Sequence, residues 1–313
     1  MRRVGIVGLG KIAEAHARAL ASIPDLAVVA GADVRPGATL GFGEHAIPVY
    51  RSAQELCGRH ELDVLIVATP TSTHAELCAT LLGLAGVPPR ILVEKPLAVR
   101  REQVHDLLAE AGRRSVALEV LYHFRHAPEV LWAVSRLDAW VARHGPITAS
   151  RSLFSDPYAR VSRRDERFVS SWIDSGINVL SVLDRFVELT AVSDVRTLPE
   201  LASTFDASVE FGTAEALGTG TVLTTWGVGQ GTKSTRLAFA GGVELLLDHS
   251  ATFARLDVGG RTLEVWGTDG PVERGLARYL NLFGETFAGD HVAAPDRDRR
   301  LHDLLLPPTS GGR

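Results

Sequence analysis

Cysteine is scarce in this 313-residue chain, with Cys57 and Cys78 its two thiols. Two thiols in helix-like stretches cannot build a disulfide framework, and they read as small apolar groups in a reducing compartment. No apolar run approaches the roughly 18 residues of a membrane span. The basic start Met1-Arg2-Arg3 resembles a leader, but Lys11 interrupts the apolar stretch behind it and glycines fill its centre. A secretory leader is therefore not expected, and a cytoplasmic setting is. A net charge of −4 gives no sequence-independent grip on nucleic acid or acidic membrane. His123 and His126 are the one closely spaced histidine pair, too few ligands for a metal site. Internal repeats and low-complexity blocks are also missing. What remains is a globular balance, 45% hydrophobic and 22% charged. At about 150 residues per domain the length suggests two domains.

The first 121 residues alternate strand and helix. Apolar runs at Arg3–Val7, Ala27–Ala32, Asp63–Ala68, Arg90–Val93 and Val116–Leu121 read as strands, and Asp63–Ala68 is apolar enough to be buried on both faces. Between them, Lys11–Ser22, Ser52–Arg59, His74–Ala85 and Val99–Arg113 read as helices. Strands alternating with helices imply right-handed parallel crossovers, hence a doubly wound α/β Rossmann domain over 1–121. The rhythm then changes. Helices are expected at Pro128–Arg143 and Ser175–Leu189, and a strand at Ile147–Phe154. Two glycine pairs, Gly241-Gly242 and Gly259-Gly260, sit between alternating runs as hairpin turns. Val272–Gly289 reads as a closing helix and Leu304–Arg313 as a frayed tail. Residues 122–313 are thus an α+β domain with a mostly antiparallel open sheet, assigned to substrate binding and oligomerisation. Leu246 lies among polar residues on the face opposite Val243, Leu245 and Leu247. Such a partly apolar outer face predicts a homodimer or a dimer of dimers.

Gly8-Leu9-Gly10-Lys11-Ile12-Ala13 is a G-x-G-x-x-A loop between a strand and a helix. Gly8 permits the turn, Gly10 lets backbone approach a pyrophosphate, and Ala13 allows close helix packing. Asp33 ends the next strand, where a carboxylate takes the ribose hydroxyls of NAD; Arg35 could instead pair with the 2′-phosphate of NADP. Thr69, Pro70 and His74 follow the strand at Asp63–Ala68, at its carboxyl end and so in the ligand crevice. Glu94-Lys95-Pro96 ends another strand and aims Lys95 at the same crevice.

The loop GLGKIA, the segment ATPTSTH, the triplet EKP and the later DSGIN, in this order, resemble the glucose–fructose oxidoreductase/inositol dehydrogenase (Gfo/Idh/MocA) family over nearly the whole chain. The resemblance implies a nicotinamide cofactor on the Rossmann half and a sugar or polyol substrate. It makes Lys95 catalytic, puts Glu94 near the nicotinamide ribose and suggests a cis Lys95–Pro96 bond. The family's second motif, D-x-G-x-H-x-x-D, here reads Asp174-Ser175-Gly176-Ile177-Asn178-Val179-Leu180-Ser181. Asn178 replaces the imidazole, which is closer to L-arabinose and D-galactose 1-dehydrogenases. Tyr122 to Pro128 and Thr225-Trp226 are similar to that branch as well. By resemblance His123, Arg125, Trp172, Asp174, Asn178 and Trp226 contact the sugar together with Lys95, with Asp174 relaying the proton and Asn178 orienting the substrate.

These readings predict an NAD(P)-dependent sugar dehydrogenase acting on a CH–OH carbon, the anomeric carbon of an aldose first. A keto-sugar or imine reductase and a non-catalytic NAD-binding regulator are the alternatives. The arginine-rich stretch 160–167 is either a solvated loop or a grip on an anionic substrate group.

Overall fold

Short apolar runs alternating with helical periods give, in the computed structural model, a parallel sheet with helical crossovers. The structure describes residues 1–40, 47–158, 170–198, 203–212, 216–227, 231–268, 273–289 and 291–306. Residues 1–40 and 47–121 contain β1 (Arg2–Val7), α1 (Lys11–Ala21), β2 (Leu26–Ala32), β3 (Val49–Tyr50), α2 (Ala53–Arg59), β4 (Val64–Val67), α3 (Thr71–Leu82), β5 (Arg90–Glu94), α4 (Arg101–Arg113) and β6 (Ala117–Leu121). All four residues of β4 are buried, as expected of a strand covered on both faces. Ser52 caps α2, its hydroxyl accepting from the Glu55 N–H at 3.1 Å. The strand order is β3-β2-β1-β4-β5-β6, all parallel. The order reverses between β1 and β4, and a ligand crevice lies at such a switch point.

The second unit begins at His123. After a 3-10 turn (His123–His126) come α5 (Pro128–Val134), α6 (Leu137–His144) and β7 (Ile147–Asp156). A π-helical turn (Trp172–Gly176) leads into α7 (Ile177–Leu183). Then follow β8 (Glu188–Thr197), β9 (Phe205–Gly212), β10 (Leu217–Trp226), β11 (Lys233–Phe239), β12 (Val243–Asp248), β13 (Phe253–Val258) and β14 (Arg261–Gly267). They form one sheet ordered β14-β13-β12-β11-β7-β10-β9-β8, with β7 and β10 the parallel pair. Both glycine-pair hairpins are present. Gly259 and Gly260 both have positive φ, 54° and 81°, the geometry a two-residue turn of matching twist requires. Val243, Leu245 and Leu247 are buried, and Glu244, Leu246 and Asp248 make the more open face of β12.

Two expected helices are shorter than their apolar period. Pro128–Arg143 breaks at Ser135-Arg136, where the Ser135 hydroxyl donates to the Trp132 carbonyl at 2.7 Å. The break folds Trp140 back on Trp132, ring centroids 5.3 Å apart. Ser175–Leu189 divides into the π turn, α7 and the start of β8, because Leu189 pairs with Phe211 of β9.

The chain from Gly275 onward does not stay with the second unit, as the 122–313 assignment expected; it clusters with residues 1–122. The cause is apolar. α8 (Arg274–Thr286) contributes Tyr279, Leu282 and Phe283 to the core that holds Val4, Ile6 and Leu92. α9 (Pro295–Leu305), which the sequence reading did not anticipate, buries Asp298, Leu301, His302 and Leu305. The tail from residue 307 lies outside the described residues.

Asp298 and His302 set opposite pH slopes. Burial pushes the Asp298 carboxyl up to about 6, so between about pH 4 and 6 the native state holds a proton that the unfolded chain releases. Its contribution to stability falls as pH rises through that window. Burial pushes His302 down to about 4. The unfolded chain then holds the extra proton between about pH 4 and 6.5, and stability rises with pH. Asp298→Asn should therefore leave a melting temperature that climbs from pH 4 to 6.5, and His302→Gln one that falls from pH 4 to 6. Each change is expected to be at least about 2 °C by scanning calorimetry, with a flatter wild-type curve between them.

Candidate active site

The glycine loop is shaped by its neighbour at the switch point. Gly8 has φ +88°, and a Cβ there would lie 2.7 Å from the Ala68 carbonyl oxygen and 2.8 Å from Thr69 Cγ2. The loop after β1 thus packs directly on the loop after β4. A Cβ built on Gly10 would meet nothing within 4 Å, so the cradle is open on the side where a dinucleotide phosphate would lie. Lys11 and Ile12 are exposed and Ala13 is buried.

Asp33 is not a free carboxylate. Its Oδ2 accepts from the Leu9 N–H and Arg35 Nη2, both at 2.8 Å. Its Oδ1 accepts from the Arg35 backbone N–H at 2.8 Å and Nε at 3.0 Å. The Arg35 guanidinium holds the carboxyl down to about 2 against the opposing effect of burial. Four bonds fill the lone-pair sites of a carboxylate. Asp33 and Arg35 therefore act as one unit, its arginine side chain 62% exposed and its aspartate buried.

The Glu94–Leu97 segment is held at successive groups. Glu94 Oε1 accepts from Tyr279 OH at 2.7 Å and lies 2.9 Å from His16 Nε2. The Lys95–Pro96 bond is cis. His74 Nδ1 lies 2.8 Å from the Pro96 carbonyl and its Nε2 2.8 Å from the Thr69 carbonyl. Leu97 N–H donates to His302 Nε2 at 2.9 Å, while His302 Nδ1 faces the Asp298 carbonyl at 2.7 Å. That arrangement requires the neutral Nδ1–H tautomer of His302. Burial pushes the Tyr279 hydroxyl well above its ordinary range, with the Glu94 charge adding to it. His74, read from sequence as a cofactor ligand, is 1% exposed. Burial lowers its pKa and the two carbonyls oppose that; the ring ties the β4 loop to the β5 loop. His16, Tyr279 and His302 carry no local signal in the sequence, since their partners are 78 to 205 positions away.

In the second unit, Asp174 and Asn178 lie at and just beyond the π turn. Asn178 is 4% exposed, and its Nδ2 donates weakly to the Asp174 carbonyl at 3.3 Å. Its buried Oδ1 has no hydrogen-bond partner among the described residues, an acceptor whose burial is costly until a donor arrives. Trp226 ends β10 in register with Asp156 and meets the Tyr158 ring at 6.3 Å. His123 packs on Phe124, ring centroids 4.7 Å apart. Trp172 is buried, 4% exposed, at the start of the turn. Arg125 is committed elsewhere: its Nη1 donates to Asp184 at 2.7 Å and to the Ser181 carbonyl at 3.2 Å, which ties the 3-10 turn to α7. Asp156 and Lys233, which the sequence reading did not single out, pair beside Ser175. Residues 160–167, the candidate anion grip, lie outside the described residues. Burial pushes Cys57 up to about 11 and Cys78 up to about 12, which disfavours the thiolate that a nucleophile needs.

Residues 2–122 match the family model described as oxidoreductase family, NAD-binding Rossmann fold, Gfo/Idh/MocA. The rhizopine catabolism protein MocA of Rhizobium meliloti is 32% identical over 128 residues, 41% of this chain and 39% of that protein. Inositol 2-dehydrogenase of Rhizobium meliloti is 28% identical over 137 residues, 44% of this chain and 40% of that protein. Each match thus spans about two fifths of the relative's length. A 3-ketoreductase from Actinomadura kijaniata, solved with TDP-benzene and NADP, superposes with a TM-score of 0.73 at 21% identity, covering 97% of this chain and 95% of that one. That likeness extends the fold over the second unit. The family match thus covers the residues that carry the switch-point cradle and the Glu94–Leu97 segment.

Proposed function

We propose that the protein is an NAD(P)-dependent oxidoreductase acting at a CH–OH carbon of a sugar or cyclic polyol. The carrying observation is Lys95, placed at the carboxyl end of β5 by the buried partners of Glu94, Pro96 and Leu97. Bound nicotinamide supplies the hydride acceptor. Gly8, Gly10, Lys11 and Ile12 would line the dinucleotide, with Thr69 and Pro70 across the switch point and Asp33 with Arg35 at the adenosine ribose.

Lys95 donates a hydrogen bond to the reacting oxygen and stabilises its developing charge. Asp174 takes the proton, and Asn178 offers its unfilled Oδ1 to a substrate hydroxyl. Asn178 cannot titrate, so it orients and does not act as a base. The Asp174–Asn178 run and Trp226 support an aldose; inositol 2-dehydrogenase among the relatives supports a ring carbinol more broadly. Reduction of a keto-sugar is the second reading, favoured by the 3-ketoreductase that shares the fold.

Cofactor binding is checked first. Gly10→Ala fills open space and should leave the melting temperature unchanged, yet weaken NAD binding in calorimetry by at least about tenfold, since the added methyl stands where backbone must approach phosphate. Asp33→Ser frees Arg35 from its partner and should move the NAD to NADP ratio of kcat/KM toward NADP. A wild type that already prefers NADP tenfold would show that the carboxylate is not selecting against the 2′-phosphate.

Catalysis is checked with a panel of aldoses and cyclic polyols, read at the absorbance of reduced nicotinamide. Lys95→Met and Asp174→Asn should each lower kcat by about 100-fold or more. NAD affinity should change little, because both groups act mainly in the transition state. The double variant should lose less than the product of the two effects. Lys95→Met retaining more than about a tenth of wild-type kcat would assign the chemistry to another residue.

A further inference from the structure

The chain carries thirty arginines but three lysines: Lys11, Lys95 and Lys233. Lys11 stands in the glycine loop and Lys95 ends β5. Lys233 opens β11, and its side chain is 16% exposed. Its ammonium pairs with Asp156 Oδ1 at the end of β7 and lies 5.8 Å from the centroid of the Phe124 ring. A compact ammonium can serve a carboxylate and a ring face together.

The other oxygen of Asp156 reaches the π turn. Ser175 Oγ donates to Asp156 Oδ2 at 2.7 Å, with Ser175 1% and Asp156 7% exposed. The start of the turn is held separately. The Ser171 N–H donates to Ser203 Oγ at 2.9 Å, and the Ser171 hydroxyl lies 3.1 Å from that of Thr224. A π turn is rare, makes poorer use of its backbone than an α-turn and often marks a functional site. It persists where surrounding groups hold it. Asp174 lies between those two attachments, next in sequence to Ser175.

We infer that Lys233 and Asp156 form a charged strut which, through the Ser175 hydroxyl, fixes the π turn and so aims Asp174. Lys233, Asp156 and Ser175 are positioning residues and need not touch substrate. Lys233 is required because a carboxylate as buried as Asp156 is costly without a counter-charge. The inference rests on the reading of Asp174 as the proton acceptor.

The test uses the full chain and two kinds of readout. Hydrogen exchange is followed by mass spectrometry without ligand, in Lys233→Met and in the milder Ser175→Ala, which removes one hydroxyl. Both should speed exchange across residues 172–178 by at least about tenfold and leave β12 and β13 unchanged. Turnover is measured with NAD and the best substrate of the aldose and polyol panel. Ser175→Ala should lower kcat by about tenfold, with NAD affinity within about twofold of wild type. In an Asp174→Asn background it should have no further effect, because an effect routed through Asp174 disappears with Asp174. Unchanged exchange at 172–178 in both variants overturns the strut. So does a Ser175→Ala loss that persists undiminished in the Asp174→Asn background. If Asp174→Asn itself keeps full turnover, the reading of Asp174 as proton acceptor fails, and the exchange result alone decides whether the strut holds the turn.

Discussion

Buried backbone at the end of β5 sets the terms for the first unit. Pro96 and Leu97 are buried, so the Pro96 carbonyl and the Leu97 N–H cannot be satisfied by water and must find partners inside the protein. The nearest strands cannot supply them, because the chain there has already left the sheet. The partners come instead from α3 as His74 and from α9 as His302, while α1 and α8 hold the Glu94 carboxylate through His16 and Tyr279. Four helices thus converge on four residues. This gives a physical reason for the return of the chain from Gly275: the last two helices complete the hydrogen bonding of a strand end laid down some two hundred residues earlier.

The same logic explains why histidine serves as the clamp. An imidazole offers a donor and an acceptor on opposite sides of one rigid ring. At His302 the two sides meet a carbonyl and an N–H, and the neutral ring satisfies both. At His74 both sides meet carbonyls, so the neutral ring satisfies one and the charged ring both, at the cost of burying a charge. The two clamps differ in chemistry although both are buried. In the second unit, His249 extends the pattern, with Nδ1 at 2.7 Å from Glu129 and Nε2 at 3.1 Å from Thr235, all three buried.

The parallel sheet was legible because most of its strands are short apolar runs, and β1, β2 and β5 are closed by Gly8, Asp33 and Pro96. β4 is the clearest, with four buried residues in a row. The hairpins were legible from their glycine pairs. α9 was not, because its sequence, PDRDRRLHDLL, is mostly charged and its buried face contains an aspartate and a histidine whose partners lie on other elements. β10 was missed for a related reason: glycine and threonine interrupt its alternation, and register with β7 and β9 supplies what the local pattern lacks. Within the site, Gly8, Gly10, Lys95 and Asp174 were named by motif. The ion pair of Arg125 was not foreseen, because its partner Asp184 is 59 positions away and no local pattern announces a pair at that distance.

Asp33 was read from sequence without the bonds that close it. Its position at the end of β2 follows from sequence, and so does the proximity of Arg35. The closure of the pair does not, since it depends on the Leu9 amide as well. That amide donates to Asp33, and the Leu9 carbonyl accepts from Arg35 Nη2 at 2.9 Å. The glycine loop and the end of β2 are therefore one hydrogen-bonded unit before any dinucleotide arrives. A ribose hydroxyl gains an acceptor on Asp33 only when the exposed arginine side chain gives up its place. A phosphate at the same position would meet a guanidinium already held there. On the proposed placement of the ribose, selection between the two cofactors turns on the free energy of opening one ion pair, in which the aspartate is buried and the arginine is mostly in water. A buried carboxylate stripped of its counter-charge is costly, so an incoming hydroxyl has to replace the bonds that Arg35 gives up.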